Sequence, residues 1–246
     1  MKSRAYITTS WDDGHPLDIR IGELLRKNRL CGTFYIPLAN DRPVLNGRQI
    51  LQLSADFEIG GHTVHHCDLL TVRDDIARRE ITECKTALEQ IIGRSCTAFC
   101  FPKGHFRRNH VNFVREAGYR IARTVEYMSL SMPSSLNGLA VIATTLQAGR
   151  AGVSAIVRNS FKRLRPVNLF RYLRHRKSGW VGTAEAILDR VMERGGVFHL
   201  WGHSWEIDEM GEWENLERLF AKLAQQRDRA VFVTNSGLLN GTEDGP

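Results

Sequence analysis

Short runs crowded with apolar and β-branched residues alternate along this chain with longer stretches in which apolar positions recur every three or four residues. AYITTSW reads as a strand. Leu17, Ile21, Leu24 and Leu25 then fall at helical spacing behind Pro16, a residue suited to the first turn of a helix. CGTFYIPL returns to strand character. Between residues 73 and 92 the apolar positions Ala77, Ile81, Cys84, Leu88 and Ile91 step by four, three, four and three, one stripe of a long helix. The pattern continues with TAFCFP, a helix near 109–117 closed by Gly118, and the strand-like YRIARTV and LAVIATTL. A basic helix carrying Val153, Val157, Phe161 and Leu164, a helix near 183–194, GGVFHLWGH, a helix carrying Trp213, Leu216, Leu219, Phe220 and Leu223, and AVFVTN complete it.

Alternating β and α units predict a parallel sheet covered by helices. About seven strand candidates allow a closed or nearly closed barrel. The alternative is an open doubly wound sheet, but the first strand runs into SWDDGHP and not into the glycine-rich turn that cradles a nucleotide phosphate. No internal repeat or low-complexity linker divides the 246 residues, which read as one domain.

Composition is that of an ordinary globular chain, 42% hydrophobic and 25% charged, long enough to bury a sizeable core. There is no apolar run of about 18 residues, and MKSRAYITTSWDDG lacks the pattern of a secretory signal, so a cytoplasmic protein is expected. The five cysteines, Cys31, Cys67, Cys84, Cys96 and Cys100, are odd in number and form no CxxC pair, against both a disulfide framework and a cysteine-based zinc site.

The formal net charge of +7 is local in origin. Between Glu126 and Glu185 stand nine cations and no acid, whereas the remainder carries 25 cations against 27 anions. Within this basic stretch Val153, Val157, Phe161 and Leu164 share one helical face, and Arg158, Lys162 and Arg165 another. NLFRYLRHRK then mixes cations with aromatic and aliphatic residues. Such a segment, an insert at about 149–180, suits contact with anionic lipid or an acidic ligand, or else a solvated basic face. No zinc finger, RRM signature or helix-turn-helix accompanies the charge, so nucleic acid is not expected as a partner.

In a parallel α/β fold the working groups gather at the carboxyl ends of the strands, and three polar clusters fall there. Asp12 and Asp13 directly follow the first strand, and neighbouring extended residues point in different directions, so one can hold a cation while the other faces a substrate. In GGHTVHHCD, His62 and His66 are four apart, which on one helical turn brings both imidazoles to one side; an extended segment would substitute His65 for His66. Two histidines and one carboxylate leave coordination positions open for water and substrate. The same donors could serve an iron oxygenase, but the usual H-x-D/E pairing is missing. In VFHLWGHSWEID, His203 emerges at the rim as a candidate proton donor, while His199 lies deeper as a core histidine.

The ordered set ITTSWDDG, TFYIP, HTVHH, FCFPKG, AGYRIARTV and VFHLWGH resembles the polysaccharide deacetylase (NodB-homology) family, carbohydrate esterase family 4. The resemblance covers about 5–125 and 183–236. It implies a deformed (β/α) barrel and metal-dependent removal of an N-acyl group, typically acetyl, from an amino sugar. It makes Asp12 the general base, Asp13, His62 and His66 the ligands of a divalent metal (Zn²⁺, with Co²⁺ or Ni²⁺ as alternatives), and His203 the general acid. Pro102 matches the family's R-x-P-Y loop, so Lys103 would offer a backbone N–H to the oxyanion. The chain departs from the family pattern at Cys100, where the family has the arginine that tethers the base, and at Lys103, where it has tyrosine. Arg123, at the end of a neighbouring strand, is the candidate replacement for that cation. Glu126, Glu206 and Asp208 are candidates to orient the acid, and Trp201 and Trp205 to stack on a sugar.

The resulting expectation is an amino-sugar deacetylase working on a cytoplasmic or membrane-face intermediate of cell-surface polysaccharide synthesis, the basic stretch suggesting an anionic or lipid-linked glycan and peripheral membrane contact. A deformylase or deacylase of lipid-linked sugars or other amides is the near alternative. A catalytically silent carbohydrate-binding protein is the alternative of another class; retention of both Asp12 and Asp13 counts against it.

Overall fold

The computed structural model describes residues 4–149 and 179–242. The chain order is β1 (Ala5–Asp12), α1 (Asp18–Lys27), β2 (Thr33–Ile36), α2 (Gly47–Ser54), β3 (Glu58–Gly61), α3 (Asp74–Ile92), β4 (Ala98–Cys100), α4 (Arg108–Glu116) and β5 (Ile121–Arg123). It continues with β6 (Ser134–Leu136), β7 (Leu139–Ile142), β8 (Leu146–Gln147), α5 (Gly179–Arg194), β9 (Gly196–Gly202), α6 (Ser204–Glu209), α7 (Trp213–Ala224) and β10 (Val231–Phe232).

The strands form one curled sheet in the order β6-β7-β5-β4-β3-β2-β1-β9-β8, parallel throughout except for the β6–β7 hairpin. β10 shares one edge of β1 with β2, pairing Tyr6 and Ile7 before β2 takes over at Ser10. β1 is therefore hydrogen-bonded along both sides and is buried at every residue, which accounts for a sequence without simple polar alternation. The gap between the β5–β7 and β9–β8 ends is spanned by irregular backbone: Met128 and Ser129 donate to Thr145 and Thr144, and Val197 donates to Leu130. This is a deformed, largely parallel (β/α) barrel, as expected.

The stripe read on α3 is its core face, with Ala77, Ile81, Cys84 and Leu88 fully buried, and Gly93 ends the helix in the left-handed region. One expectation of the fold needs correction. Ten strands are present among the described residues and not about seven: LAVIATTL is divided between β7 and β8 by a crossing segment, and the short β3 and β6 add two more. AVFVTN contributes a two-residue strand. The basic helix and its Arg158, Lys162 and Arg165 face lie outside the described residues.

Every parallel strand that bears a candidate functional residue delivers it at its carboxyl end, so all arrive at one rim: Asp12 from β1, His62 just past β3, Cys100 from β4, Arg123 from β5 and His203 just past β9.

Candidate active site

The DDG turn begins the site. Asp12 is the last residue of β1, and Asp13 follows at φ 75°, a left-handed conformation that aspartate tolerates better than most residues. The abrupt turn sends the two carboxylates apart. Gly14 continues it at φ 58°, where a Cβ would also crowd Ile36.

Asp13 faces the imidazoles. Its Oδ1 is 3.2 Å from His66 Nε2 and 3.8 Å from His62 Nε2, and one ligand atom from each of the three residues lies within 4.8 Å of the others. The loop carrying the histidines is not the helical turn expected from their spacing: Thr63 and His66 have φ of 64° and 49°. His65 is turned away, its backbone N–H and Nδ1 both engaged by Glu80 at 2.9 and 2.7 Å. Gly61, immediately before His62, runs so close to the ring of Tyr119 that any Cβ would collide with its hydroxyl.

These donors suit a divalent ion. Asp13 Oδ1 is buried and accepts no hydrogen bond among the described residues. His62 Nδ1 donates to the Cys100 carbonyl at 2.8 Å, which leaves the Nε2 lone pair directed at Asp13. Burial pushes His62 down to about 4, and burial also lowers His66, so both are neutral ligands near pH 7. Burial opposes charge on Asp13, but His203, His62, His66 and the Trp205 N–H together outweigh it and hold the carboxyl below its ordinary range. A second trio, Asp12, His62 and Cys100, also lies within coordinating reach. There the place of a cation is taken by Arg123, whose Nη2 donates to Asp12 Oδ2 and stands 2.9 Å from Cys100 Sγ.

Arg123 thus stands where the resemblance required a cation. It is directly across from Cys100 in the β4–β5 register, so its guanidinium can reach the point that an arginine at position 100 would serve, and the small thiol leaves room. The guanidinium is fully buried, with the Trp201 ring centroid 4.7 Å away. Asp12 Oδ2 is committed to this contact, whereas its buried Oδ1 accepts no hydrogen bond among the described residues.

His203 occupies the opposite side of Asp13, with Nε2 3.8 Å from Oδ2. It is the N-cap of α6, and Glu206 in the first turn reaches back to accept from its Nδ1 at 2.8 Å. Glu206 Oε2 also accepts from Gln147 Nε2 at 2.6 Å, tying α6 to the end of β8. Burial lowers the His203 pKa, but Glu206, Asp13 and Asp12 raise it more, leaving it above the ordinary histidine value. Asp208, also considered for this task, accepts from the Trp213 indole N–H at 2.8 Å. His199 is indeed a core histidine, fully buried and bonded to Ser10 Oγ and the Ala143 carbonyl.

Pro102 and Lys103 form a short 3₁₀ turn after β4, with Lys103 at φ 56° and exposed. Neither tryptophan is an open stacking platform. Trp201 is buried beneath Arg123 and edge-on to His203 at 5.5 Å, with an indole N–H that has no partner among the described residues. Trp205 donates to Asp13 Oδ2 at 3.0 Å and carries the Arg42 guanidinium 3.7 Å from its ring centroid. The Trp205 and Arg42 contacts were not foreseen from sequence.

A deformed parallel barrel with a His/His/Asp trio and a second, arginine-held aspartate at its rim defines the polysaccharide deacetylase class of hydrolases, in which metal dependence is characteristic. Residues 2–122, just under half of the chain and containing Asp12, Asp13, His62 and His66, match the family model described as polysaccharide deacetylase. The fold is similar to that of a Mycobacterium smegmatis protein assigned to the polysaccharide deacetylases (TM-score 0.71, 13% identity, 99% of this chain and 91% of that one). It is also similar to the chitin deacetylase of Colletotrichum lindemuthianum (TM-score 0.61, 14% identity, 96% and 88%). A family 4 carbohydrate esterase from Streptomyces lividans, solved with acetate, aligns at TM-score 0.52 and 13% identity over 89% and 90%. No curated protein matches the sequence.

Proposed function

We propose that this chain is a divalent-metal-dependent N-deacetylase whose substrate is an N-acetylated amino sugar within a glycan. The observation that carries the reading is the convergence of Asp13, His62 and His66 within 4.8 Å, flanked on one side by Asp12 and on the other by His203.

Asp13 Oδ1, His62 Nε2 and His66 Nε2 would hold the ion, Zn²⁺ being the first choice for this donor set. When bound, such an ion polarises the amide carbonyl and acidifies a water molecule. Asp12, with Oδ2 fixed by Arg123, receives the water proton on Oδ1. The Lys103 backbone N–H stabilises the developing oxyanion. His203, protonated and oriented by Glu206, gives its Nε2 proton to the departing amine, so the C–N bond breaks without releasing an amide anion.

The reading extends to an anionic or lipid-linked glycan, supported by the nine cations between Glu126 and Glu185, and to work at the cytoplasmic face of a membrane. No helix among the described residues is long and apolar enough to cross a membrane. Incubation of zinc-loaded protein with small N-acetylated and N-formylated sugars, free and lipid-linked, followed by mass spectrometry, tests the proposal. Acetate release supports it. Formate release alone moves the assignment to a deformylase, and sugar binding without turnover moves it to a carbohydrate-binding protein.

A further inference from the structure

We propose that Trp205, clamped by Arg42, is a positioning residue that fixes which oxygen of Asp13 meets the metal; the inference rests on the reading of Asp13, His62 and His66 as ligands. Asp13 has two oxygens with different surroundings. Oδ1 faces the two imidazoles and accepts no hydrogen bond among the described residues, whereas Oδ2 accepts the Trp205 indole N–H at 3.0 Å. A carboxylate with one oxygen engaged by a donor presents the other to a cation, so its mode of coordination and its rotation are set before the ion arrives.

Trp205 sits on α6, a helix of only six residues, and such a short element does not hold an indole rigidly by itself. The β2–α2 loop supplies the restraint. Arg42 from that loop lies 3.7 Å from the Trp205 ring centroid, and its Nη1 is 2.9 Å from Glu209 Oε1 on the same short helix. A cation over an indole is attractive, and here the cation is anchored on the element that carries the ring. His203 is a further ring neighbour of Trp205, 5.2 Å away and tilted by 32°, so the residue that orients the ligand also contacts the proposed acid. The loop between β2 and α2 thereby reaches the metal site through two side chains, although it holds no ligand.

Zinc affinity, measured by competition with a chromophoric chelator, and the visible absorption of the cobalt-loaded protein test this without reference to turnover. Trp205→Phe keeps the ring but removes the donor; affinity is expected to fall by about 10- to 100-fold, with an altered cobalt spectrum. Arg42→Leu keeps the donor but frees the ring, and a smaller loss in the same direction is expected. Unchanged affinity and spectrum in Trp205→Phe, against a wild type that binds zinc, overturn this inference alone. Should Trp205→Phe fail to fold, Arg42→Leu decides, and wild-type affinity there overturns the clamp. A wild type that binds no zinc or cobalt at all overturns the metal reading beneath it.

Discussion

Replacing Arg123 by methionine should expose how strongly the proposed base depends on a cation drawn from a neighbouring strand. The Arg123 side chain has 0% exposure and that of Asp12 5%, so neither can turn to water when its partner is removed. Methionine fills much of the same channel beneath Trp201 but leaves Asp12 Oδ2 facing only the Cys100 thiol. Breaking a buried pair from one side costs about 3 to 5 kcal/mol, because the remaining charge stays desolvated. Removing both charges should cost less than the sum, so an Asp12→Asn, Arg123→Met double variant is expected to recover at least about 2 kcal/mol relative to additivity. Arg123→Lys, which keeps the charge without the guanidinium fork, should fall between. Urea unfolding of the four proteins in chelator, so that metal binding does not add to apparent stability, gives the cycle directly. A loss below about 1 kcal/mol in Arg123→Met, or strict additivity in the double variant, would refute the claim that this contact holds the base.

Further predictions concern protons and charge. Glu206→Gln removes the leading influence that raises His203, so loss of kcat/KM on the alkaline side should begin at lower pH than in the wild type; an unmoved alkaline limb would contradict the role of Glu206. His62 and His199 are held neutral at about 4 and about 3, below the ordinary unfolded value, so the unfolded chain takes up protons that the native chain refuses. Stability of the metal-free protein should therefore be complete above pH about 6.5 and fall by about 2 kcal/mol per histidine on going from pH 7 to 5, a slope that flattens if either ring is solvated. Charge reversal at Arg158, Lys162 and Arg165 should weaken cosedimentation with anionic vesicles at low salt, and equal sedimentation would return the basic stretch to a solvated face.

Much of the fold was legible because α3 and α7 carry long apolar stripes, and because β1, β2 and β9 are rich in β-branched and aromatic residues. The short elements were not. α2 spans eight residues, and its one clear signal is the Asn46–Gln49 capping box; α6 spans six and shows no stripe. LAVIATTL was divided by tertiary hydrogen bonds from Glu126 to Ser129, which no local pattern encodes. At the site, the spacing of His62 and His66 anticipated that the two imidazoles meet, but backbone at positive φ and not a helical turn brings them together beside Asp13. Arg123 could be anticipated by aligning FCFP with YRIARTV as adjacent parallel strands, because that register sets it opposite Cys100. The Trp205–Asp13 bond joins residues 192 positions apart and left no trace in the sequence.

The central claim is that two adjacent aspartates divide the labour, Asp13 holding a metal and Asp12 moving a proton. Elemental analysis of zinc in purified Asp12→Asn and Asp13→Ala, each paired with its turnover rate, tests it most directly. The account predicts that Asp12→Asn retains the ion while losing about 10²- to 10⁴-fold in rate, and that Asp13→Ala loses the ion itself. Equal zinc in both variants, or equal loss from both, would contradict it.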